Sequence, residues 1–188
     1  MLIASLVVLG LVVVLVLALV VSYNRFVSQK NLIAEAWKQI DVELQRRFDL
    51  IPNLISTVQG YAKHESGIFE RVTAARTAAG ASRAAGPAER QQPEQELGRA
   101  VGGLLAVAES YPDLKASANF LELQEELTNT EDRIAAGRRF YNGNVRAYNT
   151  RLQTVPSNVV GSMFKFEPAE YFEMDDDPQA RRPVRVQF

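Results

Sequence analysis

Leu2 to Val21 reads LIASLVVLGLVVVLVLALVV, an apolar run broken only by Ser5 and Gly10 and carrying no charge. About 20 such residues, each rising about 1.5 Å, cover roughly 30 Å, the thickness of a bilayer's hydrocarbon core. In lipid every backbone donor and acceptor must be satisfied within the segment, so the run is expected to be a transmembrane helix. The competing identity is a cleaved signal peptide, which needs a positive leading region, a shorter apolar core and small residues at the cleavage point. Only Ala18-Leu19-Val20 faintly resembles such a point. An uncleaved anchor over residues 1–22 is therefore the expectation.

Basic residues near the ends of a span set its orientation. Arg25, Lys30 and Lys38 follow the run, and nothing charged but the α-amino group precedes it. This bias predicts a single-pass protein with its N-terminus outside and the following domain cytoplasmic, the opposite orientation being the alternative. The bilayer is the first expected partner, through residues 2–21.

The 188-residue chain has room for one further domain beyond the anchor. With 21 basic and 22 acidic residues interspersed, it carries no clustered basic face, so nucleic acid is not an expected partner. The absence of cysteine excludes disulfides, thiolate metal sites and cysteine nucleophiles. The single histidine, His64, excludes zinc sites built on two or three imidazoles of one chain. No cofactor and no metal are expected.

From Tyr23 to about Ala79 apolar residues recur at helical steps: Ile33, Trp37, Ile40, Leu44, Ile51, Leu54, Val58, Tyr61, Ile68 and Val72. Steps of three, four and seven keep one seam facing a partner helix. Nothing between Val21 and Ala34 forces a stop, so the anchor is expected to run on into the domain. Pro52 either kinks one long helix or, with Asp49 as cap, opens a second. The seam stays in phase across it, which favours the kink. Gly80–Pro93 (GASRAAGPAERQQP) loses the period and is expected to be a mobile loop. A helix is predicted from about Glu94 to Ser110, a turn at Tyr111–Ala116, and a last helix, capped by Ser117, to about Leu152, about 55 Å long. Phe120, Leu123, Leu127, Ile134, Tyr141, Val145, Tyr148 and Leu152 mark its inner face, on which Thr130 and Gly137 would admit a close neighbour. Pro156 ends the helical pattern. Residues 156–188 are expected to form an extended tail whose aromatics (Phe164, Phe166, Tyr171, Phe172) pin its first half, the second half being exposed. The fold class that follows is all-α: a transmembrane helix continuing into an antiparallel bundle of three to four long helices over residues 23–155.

Three blocks carry a resemblance: QRRFDLIPNLISTVQGYAKHE (Gln45 to Glu65), LLAVAESYPDLKA (Leu104 to Ala116) and NFLELQEELTNTEDRIAAGRRFYNGNVRAYN (Asn119 to Asn149). In this order behind an apolar N-terminus, they resemble the LemA family of bacterial membrane proteins. The likeness covers nearly all of the chain except Gly80–Pro93 and the last dozen or so residues. It implies a single-pass inner-membrane protein with a helical-bundle domain, and it brings no catalytic residues with it.

No constellation for catalysis emerges. A di-iron bundle needs inward carboxylates from several helices and Glu-x-x-His motifs, whereas Tyr61 stands three before His64. His64 and Glu65 are adjacent on the helical pattern and point about 100° apart. Asn142, Asn144 and Asn149, interleaved with Tyr141 and Tyr148, suit interhelical hydrogen bonds better than a binding groove. The residue that stands out is Arg47. Ile40 and Leu54, seven before and after it, both lie on the seam, so Arg47 points at partner helices. It either snorkels to solvent or pairs with a carboxylate of a facing helix, with Glu131 the first candidate and Glu109 the second. The expected function is a non-enzymatic scaffold or adaptor that forms homo-oligomers and engages other membrane proteins. The competing readings are a hydrolase or metal-dependent enzyme built on Glu65, Glu109 and Glu131, and a lipid-surface organiser, which lacks the basic amphipathic helix it would need.

Overall fold

The computed structural model describes residues 1–174. Asp175-Asp176-Asp177 and the PVRVQF end lie outside the described residues. Six helices follow one another: α1 (Leu2–Gln59), α2 (Ser66–Ala81), α3 (Pro87–Ala108), α4 (Pro112–Lys115), α5 (Ala118–Gln153) and α6 (Ser157–Met163). There is no strand among the described residues, and the chain is all-α.

The apolar run and the first part of the domain form one 58-residue helix that passes through Pro52. Its most apolar window has a mean hydropathy of 3.3 and no residue buried by the rest of the chain, which makes α1 a candidate membrane span by length and composition. The helical pattern does not carry on to Ala79 without a break. α1 stops at Gln59, before Gly60, where the Val58 carbonyl accepts from the N–H groups of Tyr61 (3.0 Å) and Ala62 (2.9 Å). Glycine favours such an end because it is the poorest ordinary helix former.

The expected loop at Gly80–Pro93 shrinks to five residues, 82–86. α2 runs through Gly80 to Ala81, and α3 opens with Pro87 in its first turn and continues through Pro93. Pro87 suits a helix start, since the missing N–H has no intrahelical partner there. Pro93 goes against local preference and is held by packing: Arg90 and Glu94, either side of it, are buried. The tail is likewise not wholly extended, because Ser157–Met163 forms α6.

The described chain forms two units. Met1–Lys38 with Arg139–Tyr171 is the first; Gln39–Arg138 with residues 172–174 is the second. α1 and α5 supply residues to both. In the second unit Ile51, Leu54 and Val58 of α1 share one core with Phe69 and Val72 of α2, Leu97 and Leu104 of α3, Leu114 of α4 and Phe120 and Leu127 of α5. Each fully buried side chain of this kind contributes about 1.5–3 kcal/mol. Gly137 of α5 lets Ile40 approach: a Cβ added there would lie 3.1 Å from Ile40 Cγ1.

In the first unit Phe26 is buried, edge-on to Tyr148 (5.9 Å, 87°) and stacked with Phe166 (4.9 Å, 21°). Trp37 packs on Tyr141 at 5.6 Å. The segment after α6 is held along α5 by polar groups as well as aromatics. The hydroxyls of Tyr141 and Tyr148 donate to the carbonyls of Glu170 (2.8 Å) and Glu167 (2.9 Å). Asn149 pairs with the backbone of Ala169 through two bonds of 2.9 Å, donating with Nδ2 and accepting at Oδ1. Burial, then the charge of Glu170, pushes the Tyr141 phenol up to about 12, so it stays a donor.

Candidate functional site

The densest polar arrangement lies in the second unit, where α1, α3 and α5 each contribute charged side chains. Arg47 is fully buried. Its Nη2 donates to Glu94 Oε2 at 2.7 Å and to the Glu94 carbonyl at 3.0 Å, while Nη1 donates to Glu131 Oε1 at 2.8 Å. Glu94 in turn accepts from Arg90 Nη2 at 3.0 Å, and Arg90 Nη1 reaches Asp41 Oδ1 at 2.6 Å. Charges alternate along the chain Asp41–Arg90–Glu94–Arg47–Glu131. Side-chain exposure is 0% for Arg47, 4% for Glu94 and 42% for Glu131, so the network runs from the core to the surface.

The structure thus brings Arg47 and Glu131 together and leaves Glu109 out. Glu109 closes α3, is exposed and belongs to no ion pair among the described residues. Glu94, the innermost carboxylate, and its neighbour Arg90 fall inside the stretch expected to be a loop. The signal that would have found them is the i,i+4 spacing of Arg90 and Glu94, with Pro87 and Glu89 marking a first helical turn. Charged side chains on the outer faces of α5 also reach α1. Glu126 pairs with Arg46, and Arg133 with Glu43 at 3.5 Å.

An open groove of ≈ 400 Å³ lies beside Arg47 and Glu131, with Gly98 and Gly102 of α3 on one side and Thr128 and Asp132 of α5 on the other. Its chemistry is that of holding. Arg47 directs both terminal nitrogens at carboxylates. The Thr128 hydroxyl donates to the Gln124 carbonyl of its own helix at 2.8 Å. Among the described residues no three acidic or imidazole side chains gather as metal ligands, so Glu65, Glu109 and Glu131 do not converge. His64 and Glu65 are exposed in the connection before α2. Of the three asparagines, Asn149 holds Ala169 and Asn144 donates to the Phe140 carbonyl one turn earlier at 3.0 Å.

Two magnetosome proteins of Paramagnetospirillum magneticum, MamQ 1 and MamQ 2, are each 28% identical over 197 residues, covering 92% of this chain and 72% of theirs. The protein LemA of Metamycoplasma hominis is 24% identical over 156 residues, 81% of this chain and 69% of its own. Residues 36–188 match the LemA family. That match takes in the Arg47 network, the small-residue contact at Gly137 and the strap held by Asn149, and this chain belongs to the LemA family.

Proposed function

We propose that this protein is a membrane-anchored, non-enzymatic scaffold or adaptor at the cytoplasmic face of the bacterial inner membrane. It acts as a homo-oligomer and engages other membrane proteins. The observation that carries this reading is α1, a single helix from Leu2 to Gln59. One continuous helix that carries the apolar run and contributes residues to the bundle ties the bundle to the anchor by unbroken backbone. The Arg47 network supports the same reading, because charges matched to one another within a bundle set helix register and leave no free nucleophile or proton donor. The LemA and magnetosome-protein names of its relatives are not enzyme names.

The test uses the full chain in a Gram-negative host. Protease added to intact spheroplasts should leave the domain whole and should digest it in inverted membrane vesicles. Light scattering of the chain purified in mild detergent should give a mass of several copies. Digestion in intact spheroplasts refutes the orientation, and a monomer at all protein concentrations refutes the oligomer.

A further inference from the structure

The end of the first unit exposes apolar side chains next to the candidate span. Val155, Val159, Met163 and Phe164 are 75%, 57%, 59% and 49% exposed. Val159 and Met163 are four apart on α6 and share a face. The opposite face is committed to the unit: Val160 and Gly161 are buried, and a Cβ added at Gly161 would lie 2.9 Å from Leu152 Cδ2 and 3.6 Å from Phe26. The outward direction of Val159 and Met163 is therefore set by packing. Isolated exposed apolar residues are ordinary, but four within ten residues make a patch that marks an interaction site.

The depth of this patch is also set. Ala18 and Val21, the end of the apolar run, line one groove of ≈ 560 Å³ together with Thr154, Pro156 and Ser157 of the α5–α6 junction. The Tyr23 ring lies 4.8 Å from that of Phe164 and 5.7 Å from that of Phe166, an aromatic cluster of the kind found where a span leaves the hydrocarbon. Arg25 and Arg151 line the same groove. Arg25 stands four residues beyond Val21, about 6 Å along the helix, where lipid phosphates lie.

We infer that α6 is a second membrane contact: Val155, Val159, Met163 and Phe164 sit in the bilayer interface beside the exit of α1, with Arg25 and Arg151 at the level of the lipid phosphates. The occupant of the patch is lipid because the patch is continuous with the lipid-facing surface of α1, and the inference rests on α1 spanning the membrane. The α5–α6 corner is then held to the bilayer independently of the anchor.

The chain has no cysteine, so single-cysteine variants of the full protein accept one environment-sensitive fluorophore each. Val159→Cys and Met163→Cys report on the patch, Leu11→Cys on the span, and Glu122→Cys on an exposed site of α5. Val155→Cys repeats the measurement should a label disturb α6. The variants are reconstituted in vesicles of phosphatidylglycerol and phosphatidylcholine carrying a doxyl quencher near the carbonyl or near the chain end. Labels at 159 and 163 should emit further to the blue than the label at 122 and lose intensity to the shallow quencher, while the label at 11 loses more to the deep one. Quenching at 11 without quenching at 155, 159 or 163 overturns the inference and leaves the span intact. A blue shift at 159 and 163 without quenching means a protein covers the patch, which also overturns it. No quenching at 11 removes the span and the inference together.

Discussion

Replacing Arg47 by methionine removes the central cation of the buried network while keeping most of the side chain's length. Glu131 is 42% exposed and recovers water, so its loss of a partner counts for little, about 0–1 kcal/mol. The cost concentrates on Glu94, which is 4% exposed and keeps Arg90 as its only cation among the ion pairs of the network. Breaking a buried pair by removing one partner costs about 3–5 kcal/mol, and the surviving Arg90 contact puts Arg47→Met near the lower end, about 3 kcal/mol. Glu94→Gln should cost at least as much, because it leaves two buried guanidiniums short of a charge. Glu131→Gln should cost about 1 kcal/mol or less. The order predicted is Glu94→Gln, then Arg47→Met, then Glu131→Gln.

Urea unfolding of the full chain in detergent, followed by far-UV circular dichroism, reads these differences. With a slope of about 2 kcal/mol per molar urea, a loss of about 3 kcal/mol moves the midpoint by about 1.5 M. The double variant Arg47→Met/Glu94→Gln should cost less than the two single losses summed, by about 1–3 kcal/mol. An Arg47→Met midpoint within experimental scatter of the parent, strict additivity in the double variant, or Glu131→Gln as costly as Glu94→Gln would each refute the assignment of Glu94 as the buried counter-charge.

Asn149→Ala removes both bonds to the Ala169 backbone; it should cost about 1–3 kcal/mol and expose Lys165 to faster tryptic cleavage. Gly137→Leu should destabilise by about 1–3 kcal/mol through overpacking against Ile40. Gly137→Ala should be nearly neutral, since a helix-propensity gain of about 1 kcal/mol offsets the close contact; circular dichroism melts of both variants check this. Tyr141 has a folded-state pKa raised to about 12 against an unfolded value of about 10, so its contribution is complete below about pH 10 and is lost as pH rises toward about 12. Urea midpoints measured over that window should fall with pH, and Tyr141→Phe should flatten the fall.

Periodicity alone determined the broad plan. The run from Leu2 to Val21 is long and almost wholly apolar, and the seam from Ile33 to Val58 is regular and uninterrupted by Gly, so the identity of α1, and its passage through Pro52, were legible in the residue pattern. The inner face of α5 was legible for the same reason, from Phe120 to Tyr148. Arg47 could be aimed inward because seven-residue spacing places it between Ile40 and Leu54. Its principal partner could not be found that way. Glu94 lies among Gly and Pro residues whose local preferences favour a loop, yet the stretch from Pro87 is helical and turns Glu94 onto Arg47. The strap after α6 was half legible: aromatic residues announced apolar contacts, but the two bonds from Asn149 to Ala169 exist only because the chain returns along α5, twenty residues on. Local pattern records what a residue can do within a turn or two of its own helix. Which distant carboxylate meets a buried guanidinium, and which backbone an amide side chain finds, is decided when helices far apart in sequence pack, because only there does burial make an unpaired charge or amide too costly to leave alone.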